Sequence, residues 1–138
     1  MSKFSLIAMG GTFDIIHHGH ITLLSTAFDI SEKVIIGLTS DEFVQKKGKN
    51  PIHKYDERLK NLTSIIFKKF PNSYFEISQL NNDFGPAVFE KEVQALVVSD
   101  ETKTQGNLLN KLRTERNLSP VEIIVVPMTL AKDGKRIS

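Results

Sequence analysis

The chain contains no cysteine among its 138 residues, and this absence removes several kinds of chemistry. Neither a disulfide framework nor a thiolate metal site can form, and any catalytic nucleophile must be something other than a thiol. Long apolar runs are also lacking, since the run Leu6 to Met9 is too short for a signal-peptide core or a membrane span. We therefore expect a cytoplasmic protein that does not bind a membrane.

The chain also lacks a large excess of positive or negative charge, because 25% of its residues are charged but the formal net charge is only +2. Proteins that bind nucleic acids usually carry a strongly basic face, so we expect no nucleic-acid partner. The mild positive charge is compatible with a small anionic substrate. A chain of 138 residues with 40% hydrophobic residues can bury one core, which predicts a single domain over residues 1–138.

Short apolar runs alternate with helical patterns along the whole chain. The predicted strands are Phe4–Met9, Val34–Leu38, Tyr74–Leu80, Ala95–Val98 and Val121–Val126. Apolar residues at three- and four-residue spacing predict helices within 18–28, 41–45, 59–70 and 107–118. The strands are apolar throughout, which indicates burial on both faces. Alternating strands and helices then predict one α/β, Rossmann-like, doubly wound domain with a five-stranded parallel sheet.

Ligands of such sheets bind beyond the carboxyl ends of the strands, and the segment GGTFDIIHHGH at 10–20 lies there. Its two glycines let the backbone approach a ligand closely. The helix that follows offers free N–H groups to an anion. His17 and His20 are three residues apart and share one side of the helix start, while Gly19 adds no side chain between them. The segment is therefore a candidate anion site.

This segment resembles the Gly-x-[Phe/Tyr]-Asp-x-x-His-x-Gly-His signature of the nucleotidyltransferase superfamily. It lacks the third glycine and the ribose-binding acid of the dinucleotide fingerprint. The segments GLTSDE at 37–42, YDER at 55–58 and VVSDET at 97–102 are similar to the archaeal and eukaryotic phosphopantetheine adenylyltransferase family. The resemblance implies transfer of AMP from ATP to 4′-phosphopantetheine, which gives dephospho-coenzyme A and pyrophosphate in coenzyme A biosynthesis.

The resemblance also implies roles for individual residues. His20 would donate to the α-phosphate, His17 would bind the triphosphate, and Lys46 would neutralise charge between acceptor and nucleotide, although spacing does not choose among the lysines of 46–49. The residues expected to bind the nucleotide are Gly10, Gly11, Thr12, Phe13, His17, Gly19, His20, Ser99 and Ser138. Those expected to bind the acceptor are Thr12, Lys46, Arg58, Asn110 and Arg113. No protein metal site is expected, and Mg²⁺ would arrive with ATP.

Several of these assignments have plainer alternatives. A surface ion pair is an equal alternative for Arg58, and an ordinary surface position is one for Asn110 and Arg113. Asp14 is expected to cap the first helix rather than to contact ligand. Tyr55 is expected to pack rather than to stack on adenine, and His53 receives no role.

The resembling family has an Ile-Ser-Ser/Thr-x-x-Arg motif that would open at Ile137-Ser138, where the sequence stops. We therefore expect the domain to be truncated at its C-terminus. Two rival functions are open. Another nucleotidyltransferase of the superfamily, acting with CTP or on flavin or nicotinamide mononucleotide, would share the histidine segment. A non-catalytic module would bind the nucleotide without releasing pyrophosphate.

Overall fold

The computed structural model describes residues 3–16, 18–48, 50–82, 85, 90–99 and 104–126. The strands and helices in chain order are β1 Phe4–Gly11, α1 His18–Ile30, β2 Ser31–Thr39, α2 Asp41–Lys46, α3 Tyr55–Lys69, β3 Phe75–Leu80, β4 Ala95–Ser99, α4 Thr104–Glu115 and β5 Glu122–Val126. All five predicted strands are present, with bounds shifted by a few residues. None of the described helices is both long and apolar enough to cross a membrane.

The five strands pair in parallel in the order β3-β2-β1-β4-β5, so the prediction of a five-stranded parallel sheet is confirmed. The chain runs outward from β1 to β3 and then returns to place β4 on the other side of β1. The strand order therefore reverses between β1 and β4. In open α/β sheets, ligands bind in the crevice beyond the carboxyl ends of the strands at this switch point.

Two apolar clusters cover the two faces of the sheet. Ile7 and Met9 of β1 belong to a cluster that includes Leu24 of α1 and Leu62 of α3. The intervening residue Ala8 belongs to a second cluster that includes Leu109 of α4. Side chains alternate between the faces of a strand, so β1 must be apolar at successive positions to be buried on both sides.

Two paired glycines near the carboxyl edge of the sheet make room for a leucine. Gly10 of β1 and Gly37 of β2 are register partners, and Leu80 ends the neighbouring strand β3. A β-carbon on Gly37 would lie 2.6 Å from Cγ of Leu80, and one on Gly10 would lie 3.2 Å from its Cδ1. Leu80 can therefore lie across two strand ends only because both positions lack a side chain. Packing is one reason for glycine at the first position of the 10–20 segment.

Candidate active site

The turn after β1 contains a residue in an unusual backbone conformation. Phe13 has φ of +48°, in the left-handed region, although its side chain is large. Such a conformation costs about 1–3 kcal/mol and persists only where the surroundings fix it. Its ring is 2% exposed and packs in the larger apolar cluster, which provides that constraint. Strain of this kind is concentrated at functional sites, so the turn is the natural centre of the candidate site.

The buried ring of Phe13 also contacts a histidine of the signature. The ring centroids of Phe13 and His20 lie 5.0 Å apart at an interplanar angle of 43°. Because α1 begins at His18, the half-buried His20 lies in its first turn, where backbone N–H groups have no partner within the helix. Phe13 therefore helps to fix the imidazole beside a helix N-terminus. His17 lies outside the described residues, so its pairing with His20 stays a prediction.

Arg58 of α3 is fully buried, so the predicted surface position is wrong. Its Nη1 donates to the carbonyl oxygens of Thr12 at 3.0 Å and Thr39 at 2.8 Å. Its Nε donates to the carbonyl oxygen of His53 at 3.1 Å, and its Nη2 donates to Oδ1 of Asp41 at 2.8 Å. A guanidinium carries five N–H donors and can serve several acceptors at once. Arg58 therefore joins three chain segments. It pairs with an acid, Asp41, as one alternative predicted, but as a buried group rather than on the helix surface.

The hydroxyl groups of Thr12 and Thr39 meet beside this guanidinium. Oγ1 of Thr39 lies 3.2 Å from Oγ1 of Thr12 and 3.4 Å from Nη1 of Arg58. Thr39 ends β2 and is 9% exposed, whereas Thr12 follows β1 and is half-buried. The predicted phosphate ligand Thr12 is thus held through both its carbonyl oxygen and its hydroxyl.

Asp14 holds the loop that precedes α3. Its carboxylate accepts the backbone N–H of Ile52 at 2.7 Å and of His53 at 2.9 Å. Nδ1 of His53 also lies 3.1 Å from the carbonyl oxygen of Asp14 and 3.2 Å from Oδ1. Burial alone would raise the pKa of Asp14, but these hydrogen bonds and the nearby His53 outweigh it and hold the pKa below the usual 3.8. Within the described ranges, the partners of the carboxylate lie in this loop rather than on α1, where a cap was predicted.

Asp41 links the start of α2 to the start of α3. Its Oδ1 accepts Nη2 of Arg58 and, at 3.0 Å, the backbone N–H of Tyr55. The hydrogen bond from Arg58 is the main cause that lowers the pKa of Asp41, and burial opposes it. Lys54 precedes α3 without making a side-chain cap, so Asp41 supplies the acceptor there. The ring of Tyr55 packs against the apolar core, as predicted.

Asn110 and Arg113 lie at the opposite edge of the sheet. Nε of Arg113 donates to the carbonyl oxygen of Ser119 at 2.8 Å, and Nη1 donates to that of Glu90 at 2.9 Å. The amide of Asn110 makes two hydrogen bonds to the backbone of Val121, at 3.0 and 2.7 Å. These partners precede β4 and β5, so they lie at the amino ends of the strands. The prediction that these two side chains reach the substrate cleft is therefore corrected.

The other predicted site residues differ in position. Lys46 is exposed at the last position of α2, beyond the carboxyl end of β2. Ser99 ends β4 and is 7% exposed. Since Ile7 pairs with Ala95, continuing the register places Ser99 across from Gly11. The buried Gly19 lies in the first turn of α1, and Ser138 lies outside the described residues. Gly11, Thr12 and Phe13 therefore follow one another at the end of β1, Phe13 contacts His20, and Ser99 ends the neighbouring strand β4.

Comparison with known proteins gives relatives over the whole chain. The sequence profile of the family described as Cytidylyltransferase-like matches residues 8–138. The chain is 36% identical over 138 residues to the phosphopantetheine adenylyltransferase of Methanopyrus kandleri, covering 100% of this chain and 88% of the relative. It is 41% identical over 140 residues to the enzyme of the same name from Pyrococcus abyssi, again covering 100% of this chain and 88% of the relative.

A solved structure shares the fold. The crystal structure of a protein of unknown function from Archaeoglobus fulgidus superposes with a TM-score of 0.81 at 24% identity, covering 98% of this chain and 100% of the other. That likeness supports the architecture alone. The family profile and the full-length relatives go further, and they show that the chain belongs to the cytidylyltransferase-like nucleotidyltransferases and, among these, to the phosphopantetheine adenylyltransferase family.

Proposed function

We propose that this chain transfers the adenylyl group of ATP to 4′-phosphopantetheine, a step of coenzyme A biosynthesis. An oxygen of the acceptor phosphate attacks the α-phosphorus of ATP, the bond from that phosphorus to the β-phosphate oxygen breaks, and pyrophosphate leaves. The product is dephospho-coenzyme A. The observation that carries the proposal is the identity of 36% and 41% to two phosphopantetheine adenylyltransferases along the full chain.

The reaction needs no covalent intermediate, so the protein contributes mainly positioning and charge stabilisation. We assign the donation to the α-phosphate to His20, because the ring of Phe13 sets its position at the start of α1. Thr12 would hold the acceptor phosphate through its hydroxyl and backbone N–H. His17 would bind the triphosphate, and Lys46 would neutralise charge between the two substrates. Donors that are fixed before the substrate arrives need not reorganise as charge develops.

We propose that ATP enters the site with a bound Mg²⁺. Within the described part of the chain, no group of three or more histidine, aspartate or glutamate side chains could hold a metal ion. Asp14 and Asp41 already accept hydrogen bonds from the protein. Mg²⁺ commonly keeps several waters and binds substrate phosphates with few protein ligands. We propose that Mg²⁺ enters with the triphosphate in this way.

Release of pyrophosphate from ATP, with and without 4′-phosphopantetheine, tests the proposal. We expect release that requires this acceptor and that falls sharply in a His20→Ala variant. Parallel reactions with CTP, flavin mononucleotide, nicotinamide mononucleotide and glycerol phosphate separate the related transferases. Release that depends on one of these other substrates would overturn the assignment. Binding of ATP without release from any acceptor would instead indicate a non-catalytic module.

A further inference from the structure

The pair of hydroxyl groups at the ends of β1 and β2 lies beside a group that can only donate, because a guanidinium has no acceptor. Nη1 of Arg58 lies 3.4 Å from Oγ1 of Thr39, so this oxygen accepts a hydrogen bond that is longer than the two from Nη1 to the carbonyl oxygens of Thr12 and Thr39. The hydroxyl proton of Thr39 is then available for Oγ1 of Thr12, 3.2 Å away. In this arrangement Thr12 accepts from Thr39, and its own hydroxyl proton points away from Thr39.

The backbone at Thr12 is oriented by the same guanidinium. The carbonyl oxygen of Thr12 accepts from Nη1 of Arg58 at 3.0 Å, and that nitrogen also binds the carbonyl oxygen of Thr39 on β2. In a trans peptide group, the C=O and the following N–H point in opposite directions. The N–H of Phe13 is therefore turned away from Arg58.

We propose that Thr39 is a positioning residue for adenylyl transfer, which directs the hydroxyl proton of Thr12 towards the acceptor phosphate. The proposal rests on the proposed function, since it takes a phosphate acceptor at Thr12. Thr39 itself is buried and does not touch the substrate. A hydroxyl that accepts one hydrogen bond donates the next one more strongly, so the order Arg58, Thr39, Thr12, phosphate strengthens the last bond.

The alternative is that Thr39 only fills space at the end of β2. Thr39→Val distinguishes the positioning role from space filling, because valine keeps the shape of threonine and loses its hydroxyl. Thr39→Ser keeps the hydroxyl and loses a methyl group. Thr63→Val is a matched control, since Thr63 on α3 is half-buried and its hydroxyl bonds the carbonyl oxygen of Leu59 within its own helix. Thermal unfolding of each variant shows whether it is folded.

The experiment measures pyrophosphate release while phosphopantetheine and ATP are varied in turn. Loss of the whole hydrogen bond from Thr12 to the phosphate would lower kcat/KM for phosphopantetheine about tenfold to hundredfold, so Thr39→Val, which removes only the orientation of that donor, should lower it by up to about tenfold. The KM for ATP should stay within about twofold, because the lost donor acts on the other substrate. Thr39→Ser should restore most of kcat/KM, and Thr63→Val should resemble the wild type.

A double-mutant cycle with Thr12→Val decides whether Thr39 acts through Thr12. If it does, Thr39→Val has almost no further effect once the Thr12 hydroxyl is gone. Independent, multiplying losses would overturn the proposal, as would wild-type kinetics in Thr39→Val or an equal loss in Thr39→Ser.

Titration calorimetry with phosphopantetheine separates this proposal from the proposed function. If the wild type binds phosphopantetheine but releases no pyrophosphate, the proposed reaction is wrong, and the same variants test the positioning role through affinity. A larger Kd for phosphopantetheine in Thr39→Val, but not in Thr39→Ser, then supports the positioning role, and an unchanged Kd in Thr39→Val overturns it. If the wild type neither binds nor converts phosphopantetheine, both proposals are overturned.

Discussion

Replacement of Arg58 by methionine should remove the donor at the centre of three chain segments. The carbonyl oxygens of Thr12, Thr39 and His53 would each lose a hydrogen bond in the interior. Asp41 would lose its partner too, but its side chain is 37% exposed and water can replace part of that bond. Leaving a buried acceptor without a partner typically costs about 1–3 kcal/mol, so with three carbonyl groups affected we expect the unfolding free energy to fall by at least about 3 kcal/mol.

Urea unfolding followed by circular dichroism measures this loss. With a typical slope for a small domain, the midpoint should fall by at least about 1 M. Lys60→Met is the matched control, because Lys60 is an exposed cation on the same helix, and its effect should stay within about 0.5 kcal/mol. A loss below about 1 kcal/mol in Arg58→Met would refute the argument, since it would mean that other donors can serve these carbonyl groups.

Three further changes test other contacts of the candidate site. Gly37→Ala places a β-carbon 2.6 Å from Cγ of Leu80 and should lower the unfolding free energy by about 1–3 kcal/mol. The effect should be smaller in a Leu80→Ala background, and equal effects in the two backgrounds would contradict the packing argument. The pKa of Asp41 is held below 3.8, so the stability that its carboxylate contributes is present above about pH 4 and is lost as the pH falls through the lowered pKa. Urea unfolding at a series of pH values should therefore show a weaker acid dependence in Asp41→Asn. An unchanged acid dependence would contradict this role of Asp41. His53→Asn keeps a side-chain donor near Asp14 whereas His53→Leu does not, so only the leucine variant should lose stability, by about 1–3 kcal/mol; equal losses would show that the ring contributes through packing alone.

The sheet could be predicted from the sequence because its signals are local. Each strand is a short apolar run, and the glycine pair marks where β1 ends. The contacts around Arg58 are not marked by any local sequence pattern. Arg58 and Thr12 are 46 residues apart, Asp14 and His53 are 39 apart, and Thr12 and Thr39 are 27 apart. The parallel pairing of β1 and β2 brings Thr12 and Thr39 together, and α3 with the loop before it adds Arg58 and His53, so no pattern along the chain marks these residues as partners.

The error at Asn110 and Arg113 has a different cause. The two residues share a helix face, and the spacing showed that much. However, α4 connects the parallel strands β4 and β5, so it must run back from the carboxyl edge of the sheet to the amino edge. Residues in its last turns therefore face the wrong edge for ligand binding, whichever side of the helix they occupy. Topology combined with position along the helix would have excluded both residues, and it favours residues at the start of α4 instead.

The hydrogen bonds of Arg58 affect both the stability of the fold and the direction of the backbone N–H groups near Thr12. Burying a charge is costly, and an apolar residue of similar volume often replaces a buried ion pair without loss. That substitution is unfavourable here because three carbonyl groups converge on the guanidinium from the turn after β1, from β2 and from the loop before α3. The convergence has a geometric consequence, since each carbonyl that faces Arg58 turns the next N–H away from it. At Thr12 the next N–H is thereby turned away from Arg58, so under the proposed function the same contacts that stabilise the turn also orient its donors.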